Sequence, residues 1–446
     1  MSGYMLAGFM FASMIGLLFT GRQLFLVIGA VGSIAAVALW GTGGLDMLAF
    51  GSFSVIGWYV LLAIPMFIFM GMMLAYSGIA DKLYHAFYVW SGRVNGGLAI
   101  GTVGLCALIA AMSGLSFAAT VTAGTISLPA MLKRKYDKSM VVGLIPTLGS
   151  LGFLIPPSIV FIIYGLIASV SIGHLWIAGI LPGALLASLF IIYIAIRCKL
   201  NPRLGPAMPE EELMRYTLKD KLRALGVGIA PILLIFAVLG LLFMGVTSLI
   251  ECASIGMLGS IIIAAINRRL NFGLVKMVMD ETFKSSVMVI WIFMAALLFS
   301  SVFDGLGAID AVAHLLTLAP GGNIGTIAIM QLSFFLLGMV MDDTAMLLIV
   351  APLYIPLVAK MGYSLVWYGV LYVLNCQMAY ATPPFGWNLF IMKSIVPRDS
   401  GITMLDIYKS VIPYVALQAT ALGLVIAFPQ IALWLPRIIF PGSYGG

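Results

Sequence analysis

The 446-residue chain is 62% hydrophobic and only 9% charged, with a mean hydropathy of +1.14. Soluble domains carry roughly a quarter charged residues, so this composition excludes a water-solvated globule. The net charge of +7 does not point to a polyanionic partner, because the basic residues lie in short loops between apolar runs, where membrane topology accounts for them.

A span needs about 20 apolar residues, which leaves room for roughly a dozen crossings. Met1-Ser2-Gly3-Tyr4 has no basic segment or small-residue cleavage pattern, so the N-terminus reads as the first span, not a removable signal. Apolar runs at 5–20, 24–40 and 54–76 read as spans, and 79–92, with charges at helical spacing, reads as an arm lying in the interface. Region 96–132 is expected to form a hairpin with its tip at Met112–Ala118. Region 138–170 is expected to be a broken span, since Pro156-Pro157 stops a helix and pushes Ile155 out of helical geometry. A span at 173–196 completes a first repeat, 1–198.

Residues 199–223, with Pro202, Pro206, Pro209 and the run Glu210-Glu211-Glu212, form a cytoplasmic connector too short to have its own core. The second repeat, 224–446, has spans within 224–303: 224–244, 247–266 and 286–303, with a second interfacial segment at 270–285. A hairpin at 323–360, a broken span at 364–392 and a span at 411–429 follow. Glu251 and His174 read as interfacial.

If each hairpin returns to its starting side, the N-terminus lies outside, and 21 of 23 basic residues fall on the cytoplasmic side, leaving only Lys360 and Arg437 outside. A hairpin and a pair of full spans both return to one side, so charge does not distinguish them. An offset of 227 residues superimposes Pro129 on Pro356, Lys133 on Lys360, Tyr136 on Tyr363 and Pro156-Pro157 on Pro383-Pro384. The fold expected is therefore all-α and polytopic, with two inverted-topology repeats, each holding a re-entrant hairpin and a broken helix. Secondary transporters build their sites at such interruptions, where freed carbonyls and amides hold ions and substrate.

Cys106, Cys198, Cys252 and Cys376 have no paired spacing, and His85, His174 and His314 are isolated, so neither a transition-metal site nor a catalytic residue is expected. The first tip, Ser113-Gly114-Leu115-Ser116, combines small and hydroxyl residues, for which close helix packing is the favoured reading from this motif alone. At the second tip, Asp342-Asp343 places two carboxylates inside an apolar region, a costly arrangement that points to function. The competing reading is that they cap a helix beginning at Thr344; one acid capping and one facing a ligand satisfies both. Around the second break, Asn375, Gln377, Thr382 and Asn388 cluster polar oxygen, with interhelical hydrogen bonding as the alternative for Gln377 and Asn388.

The stretches Leu62–Ile68, Ser113–Ser116, Gly152–Ser158 continuing to Tyr164-Gly165, Ala178–Gly183 and Thr382–Phe390 resemble the large membrane (M) subunit of tripartite ATP-independent periplasmic (TRAP) transporters, the DctM-like family. The resemblance implies an elevator-type protein with scaffold and transport domains. It also implies sodium-coupled uptake of an organic anion, often a carboxylate, delivered by a periplasmic substrate-binding protein. Sodium would sit where each tip meets its break: Ser113, Gly114, Thr147, Gly149 and Ile155 for one ion, and Gly338, Asp342, Asn375, Thr382 and Gly386 for another. Substrate would lie near Ser116, Ser158 and Asp343. No cofactor is implied beyond Na⁺ as coupling ion. A fused small subunit would need about four more spans, so a separate four-helix membrane subunit is the expected partner, in a bacterial inner membrane. A stand-alone sodium–dicarboxylate symporter of similar architecture is the nearest alternative. A polytopic membrane enzyme is a remote one, and a channel would not support accumulation against a gradient.

Overall fold

The computed structural model describes residues 3–213, 216–226, 228–317 and 319–441. Arg215, one of the basic residues assigned to the cytoplasmic side, and residues 442–446 of the second half lie outside the described residues. Every regular element among those described is helical.

In chain order, α1 (Gly3–Leu18), α2 (Leu24–Trp40) and α3 (Thr42–Ile56) lead through a 3-10 turn to α4 (Ala63–Tyr76) and α5 (Ile79–Ser91). The first hairpin is α6 (Gly97–Ser113) and α7 (Ser116–Lys133). The first interrupted helix is α8 (Lys138–Gly149), a 3-10 turn at Ser150–Phe153 and α9 (Ile159–Ala168); α10 (Ile172–Leu200) follows. The connector contains α11 (Glu210–Leu213) and α12 (Leu218–Gly226). The second half runs α13 (Ile229–Phe243), α14 (Leu249–Ile266), α15 (Phe272–Gly305), α16 (Ala308–Thr317), the hairpin α17 (Gly322–Gly338) and α18 (Asp343–Lys360), the interrupted pair α19 (Leu365–Tyr380) and α20 (Trp387–Ile395), then α21 (Met404–Ala427) and α22 (Gln430–Ile439).

Among the described residues, six helices are long and apolar enough to cross a membrane: Tyr59–Tyr76, Ile172–Leu200, Leu249–Ile266, Phe272–Gly305, Asp343–Lys360 and Met404–Ala427. The apolar segments Gly97–Ser113, Lys138–Phe153, Ile159–Ala168 and Gly322–Gly338 are shorter. Gly97–Ser113 and Gly322–Gly338 end at the loops around Gly114 and Met339–Asp342, and Pro156-Pro157 lies between the other two.

Local chemistry sets these boundaries. Asp137 accepts the Met140 N–H at 2.8 Å to start α8, and Ser158 accepts that of Phe161 at 3.3 Å to start α9. Ser248 and Glu251 form a reciprocal capping box on α14, in keeping with Glu251 as a helix-end residue. The Pro156-Pro157 and Pro383-Pro384 peptide bonds are both cis.

Three boundaries differ from the sequence reading. Segment 270–285 is not a separate element but the first part of the 34-residue α15. No glycine or proline stands between Gly273 and Gly305 to stop that helix, and at about 1.5 Å per residue it reaches ~50 Å, well beyond a ~30 Å hydrocarbon core. Its charged side chains had suggested a surface arm; Lys284 and Glu281 instead pair along the same helix at 2.9 Å. The run 54–76 is divided at Gly57-Trp58 into the end of α3 and the helical stretch beginning at Tyr59. The run 224–244 becomes continuous helix only from Ile229. Helices α16 and α22, and most of α3, lie where no element was expected.

Helix α15 lies along α2 and α4, and α14 packs on α4, forming one layer. In the other, α9 packs against α18 while α20 packs against α7, so each distal half-helix contacts the hairpin of the other half of the chain. The starts of α7 and α18, Ser116 and Asp343, are 227 residues apart, as are those of α8 and α19, Lys138 and Leu365.

Candidate functional site

At the first junction, the tip between α6 and α7 meets the break between α8 and α9. Gly114 has φ +61°, and a Cβ there would stand 2.3 Å from the Pro157 carbonyl oxygen. Both the left-handed turn and the contact require glycine. Gly149, deeper in the same junction, comes so close to Thr120 that a Cβ would lie 1.7 Å from its Oγ1. Ser113 donates to Ile109 O at 2.9 Å, Thr147 to Leu144 O at 2.8 Å and Gly143 O at 3.0 Å, and Thr120 to Ser116 O at 3.0 Å. Ile155 keeps its N–H on Leu151 O at 3.0 Å as the chain enters the break. Hydroxyls that have given their protons to carbonyls retain lone pairs for a further partner.

At the second junction, Asp342 is the N-cap of α18, its Oδ1 accepting the Ala345 N–H at 2.8 Å; the helix starts at Asp343, one residue before the expected Thr344. Asp343 is buried, at 9% exposure. Its Oδ1 accepts the Tyr380 hydroxyl, and its carbonyl accepts that of Tyr372 at 2.5 Å. Neither carboxylate forms an ion pair among the described residues. Asp342 thus caps the helix, while Asp343 lies inside the protein. Asn375 donates to Gln331 O at 2.6 Å and Gln331 Oε1 at 3.0 Å, leaving its own Oδ1 buried without a hydrogen-bond partner. Thr382 donates to Met378 O at 2.6 Å, and Gly386 N–H closes the break onto Thr382 O at 3.0 Å. Gly338 abuts Ala379, 2.7 Å from the Cβ position.

The junctions are adjacent. Phe153 of the first break meets the Tyr380 ring edge-on, 4.9 Å between centroids. Asn388, at the start of α20, reaches Ser116 Oγ at 2.8 Å and Pro146 O at 2.9 Å. Of the residues assigned to substrate, Ser116 and Asp343 begin the two return arms. Ser158 begins the helix after the first break; it is fully buried, its hydroxyl donating to Phe153 O at 2.6 Å and its carbonyl receiving Trp176 Nε1 at 3.1 Å.

The sequence reading passed over Tyr372, Tyr380, Gln331, Phe153 and Thr120. Tyrosines inside apolar helices look like core, but Tyr372 and Asn375 are three residues apart and share a face of α19. That spacing was an available signal.

A sequence profile of the family described as "Tripartite ATP-independent periplasmic transporter, DctM component" matches residues 11–431. The chain belongs to this family. It is 29% identical over 413 residues to the C4-dicarboxylate TRAP transporter large permease protein DctM of Pseudomonas aeruginosa, covering 92% of this chain and 93% of that one. It is also 29% identical over 433 residues to the ectoine TRAP transporter large permease protein TeaC of Halomonas elongata, covering 97% and 99%. The isethionate TRAP transporter permease protein DctMQ of Oleidesulfovibrio alaskensis is 28% identical over 425 residues, which are 94% of this chain but 65% of that longer protein. Among solved structures, the Alcanivorax borkumensis YdaH transporter is similar with a TM-score of 0.65 at 14% identity, covering 95% of this chain and 99% of that one. This similarity concerns the fold alone. As a TRAP large permease the chain is an all-α, multi-pass membrane transport protein, and its family implies a periplasmic binding protein and a small membrane subunit as partners.

Proposed function

We propose that this chain carries out sodium-coupled uptake of an organic anion, delivered by a periplasmic binding protein and moved by an elevator displacement of the hairpins and broken spans. The observation that carries the reading is the Asp342-Asp343 pair, placed where a hairpin tip meets a broken helix, with no basic side chain paired to it among the described residues. Buried carboxylates without a cationic partner are costly, and a bound cation offsets that cost. The first junction would hold one sodium through Ser113, Gly114, Thr147, Gly149 and Ile155; the second, another through Gly338, Asp342, Asn375, Thr382 and Gly386. The orphaned Asn375 Oδ1 suits a cation ligand. Substrate would bind between the return arms, near Ser116, Ser158 and Asp343.

The 227-residue spacing of matched helix starts, and the exchange of α9 and α20 between hairpins, support inverted repeats at 1–198 and 224–446 joined by the 199–223 connector. In such repeats, half-helices meeting near the bilayer centre form a site that rigid-body movement can expose to either side. The dicarboxylate and isethionate relatives favour an anionic substrate. We assign the chain to a bacterial inner membrane with its N-terminus periplasmic, acting with a separate four-helix subunit, and read it as a transporter and not an enzyme.

The test is reconstitution of this chain with its small subunit in liposomes. Uptake is expected only with both the loaded binding protein outside and an inward sodium gradient. Uptake without the binding protein would support the stand-alone symporter, and uptake indifferent to sodium would remove the coupling ion from the account.

A further inference from the structure

Asn388 is fully buried at the start of α20, directly after the Pro383-Pro384 break, yet its side chain makes no bond to its own half of the molecule. It crosses 272 residues of sequence to Ser116, the first residue of α7 and the second after the Gly114 tip. Ser116 Oγ lies 2.8 Å from Nδ2 and 3.1 Å from Oδ1, so the hydroxyl is held whichever way it turns. The same Nδ2 donates to Pro146 O at 2.9 Å, immediately before Thr147. In a regular helix that carbonyl would accept the Ser150 N–H. A carbonyl has two lone pairs, and this one takes the Asn388 amide where α8 gives way to the 3-10 turn at Ser150–Phe153.

One carboxamide from the second broken span therefore pins both sides of the first junction: the return arm through Ser116 and the broken span through Pro146. In the other direction the first broken span reaches the second through Tyr164, whose hydroxyl donates to Leu365 O at 2.8 Å at the start of α19, and through the Phe153–Tyr380 and Tyr164–Tyr372 ring pairs, while Asn388 alone among these contacts bonds a hairpin tip and a break at once. Building on the sodium reading above, we infer that Asn388 is a positioning residue that couples the two junctions, so that ordering the second break organises the first. Two sites coupled through such an element bind their ligands cooperatively, and the coupling is reciprocal.

The experiment uses sodium alone as the probe, on the purified complex of this chain with its small subunit, measured as radioactive sodium bound at equilibrium. The wild type is expected to bind with a Hill coefficient above one. Asn388→Ala is expected to retain the same number of sites with a coefficient near one, and a loss of affinity of about tenfold at the first junction, within the usual range of coupling. Asn388→Gln, which keeps the amide but displaces it by a methylene, should fall on the same side as the alanine variant and serves alone if that variant does not fold. A Hill coefficient preserved in either folded variant would overturn the inference, as would a loss of sites with the coefficient unchanged, the result of a purely structural role. Absence of saturable sodium binding in the wild type would instead overturn the underlying sodium reading.

Discussion

At the first junction Ser113, Thr120, Thr147, Ser150 and Ser158 are neutral, and each turns its hydroxyl onto a main-chain carbonyl. At the second, Asp342 and Asp343 are carboxylates, and the surrounding Tyr372, Tyr380 and Asn375 supply hydrogen bonds and an unpaired carboxamide oxygen. The helical framework is nearly the same: a hairpin tip set against a helix broken at a cis proline pair. A shared framework can thus hold a weak, neutral oxygen site on one side and a charged one on the other. If both hold sodium, the charged site should dominate affinity, since hydrogen bonds and ligation to charged groups outweigh those to neutral ones.

That contrast can be broken from either side. The largest effect is expected for Asp343→Asn, which keeps the shape but removes the buried charge: uptake driven by sodium should fall by about 10- to 100-fold while detergent-extracted protein stays monodisperse, on the scale of a lost charged interaction. Unchanged uptake would show that the acid is merely structural. Next, Gly114→Ala forces a side chain into positive φ and against Pro157 O; strain of ~1–2 kcal/mol plus the displaced contact should lower uptake about tenfold, with the thermal midpoint lowered as well. Tyr380→Phe removes one hydrogen bond to Asp343 but keeps the ring against Phe153. It is expected to raise the concentration of loaded binding protein for half-maximal uptake by about fivefold, a bond's worth, with maximal rate little altered. Ser113→Ala should be mildest, about two- to threefold, because a single neutral oxygen is replaceable by water. An order reversed between Asp343 and Ser113 would invert the division between the junctions.

Much of this was legible in the sequence because it depends on local rules. Paired prolines stop helices wherever they stand, and Asp342-Asp343 in an apolar stretch announces its cost without any structure. The tips at Gly114 and Met339–Asp342 and both breaks fall where those signals placed them. Elements whose limits depend on the absence of a signal were harder. Helix α15 continues through Lys276, Asp280, Glu281 and Lys284 because nothing interrupts it, and charge was mistaken for a boundary. Partners were least legible. Tyr380 and Tyr372 are hydrophobic by composition, and only the fold turns their hydroxyls toward Asp343; likewise Asn388 reveals its reach to Ser116 and Pro146 only when two segments far apart in sequence are packed together. Pair interactions across the two halves carry no signature in either half alone.

The most direct measurement is equilibrium binding of radioactive sodium to the complex of this chain with its small subunit, comparing wild type with Asp342→Asn. Saturable binding with more than one site is predicted for the wild type, with the charged junction's site lost and the neutral junction's site retained in the variant. Identical binding curves for the two proteins would contradict the assignment of Asp342, and with it the division of labour between the junctions.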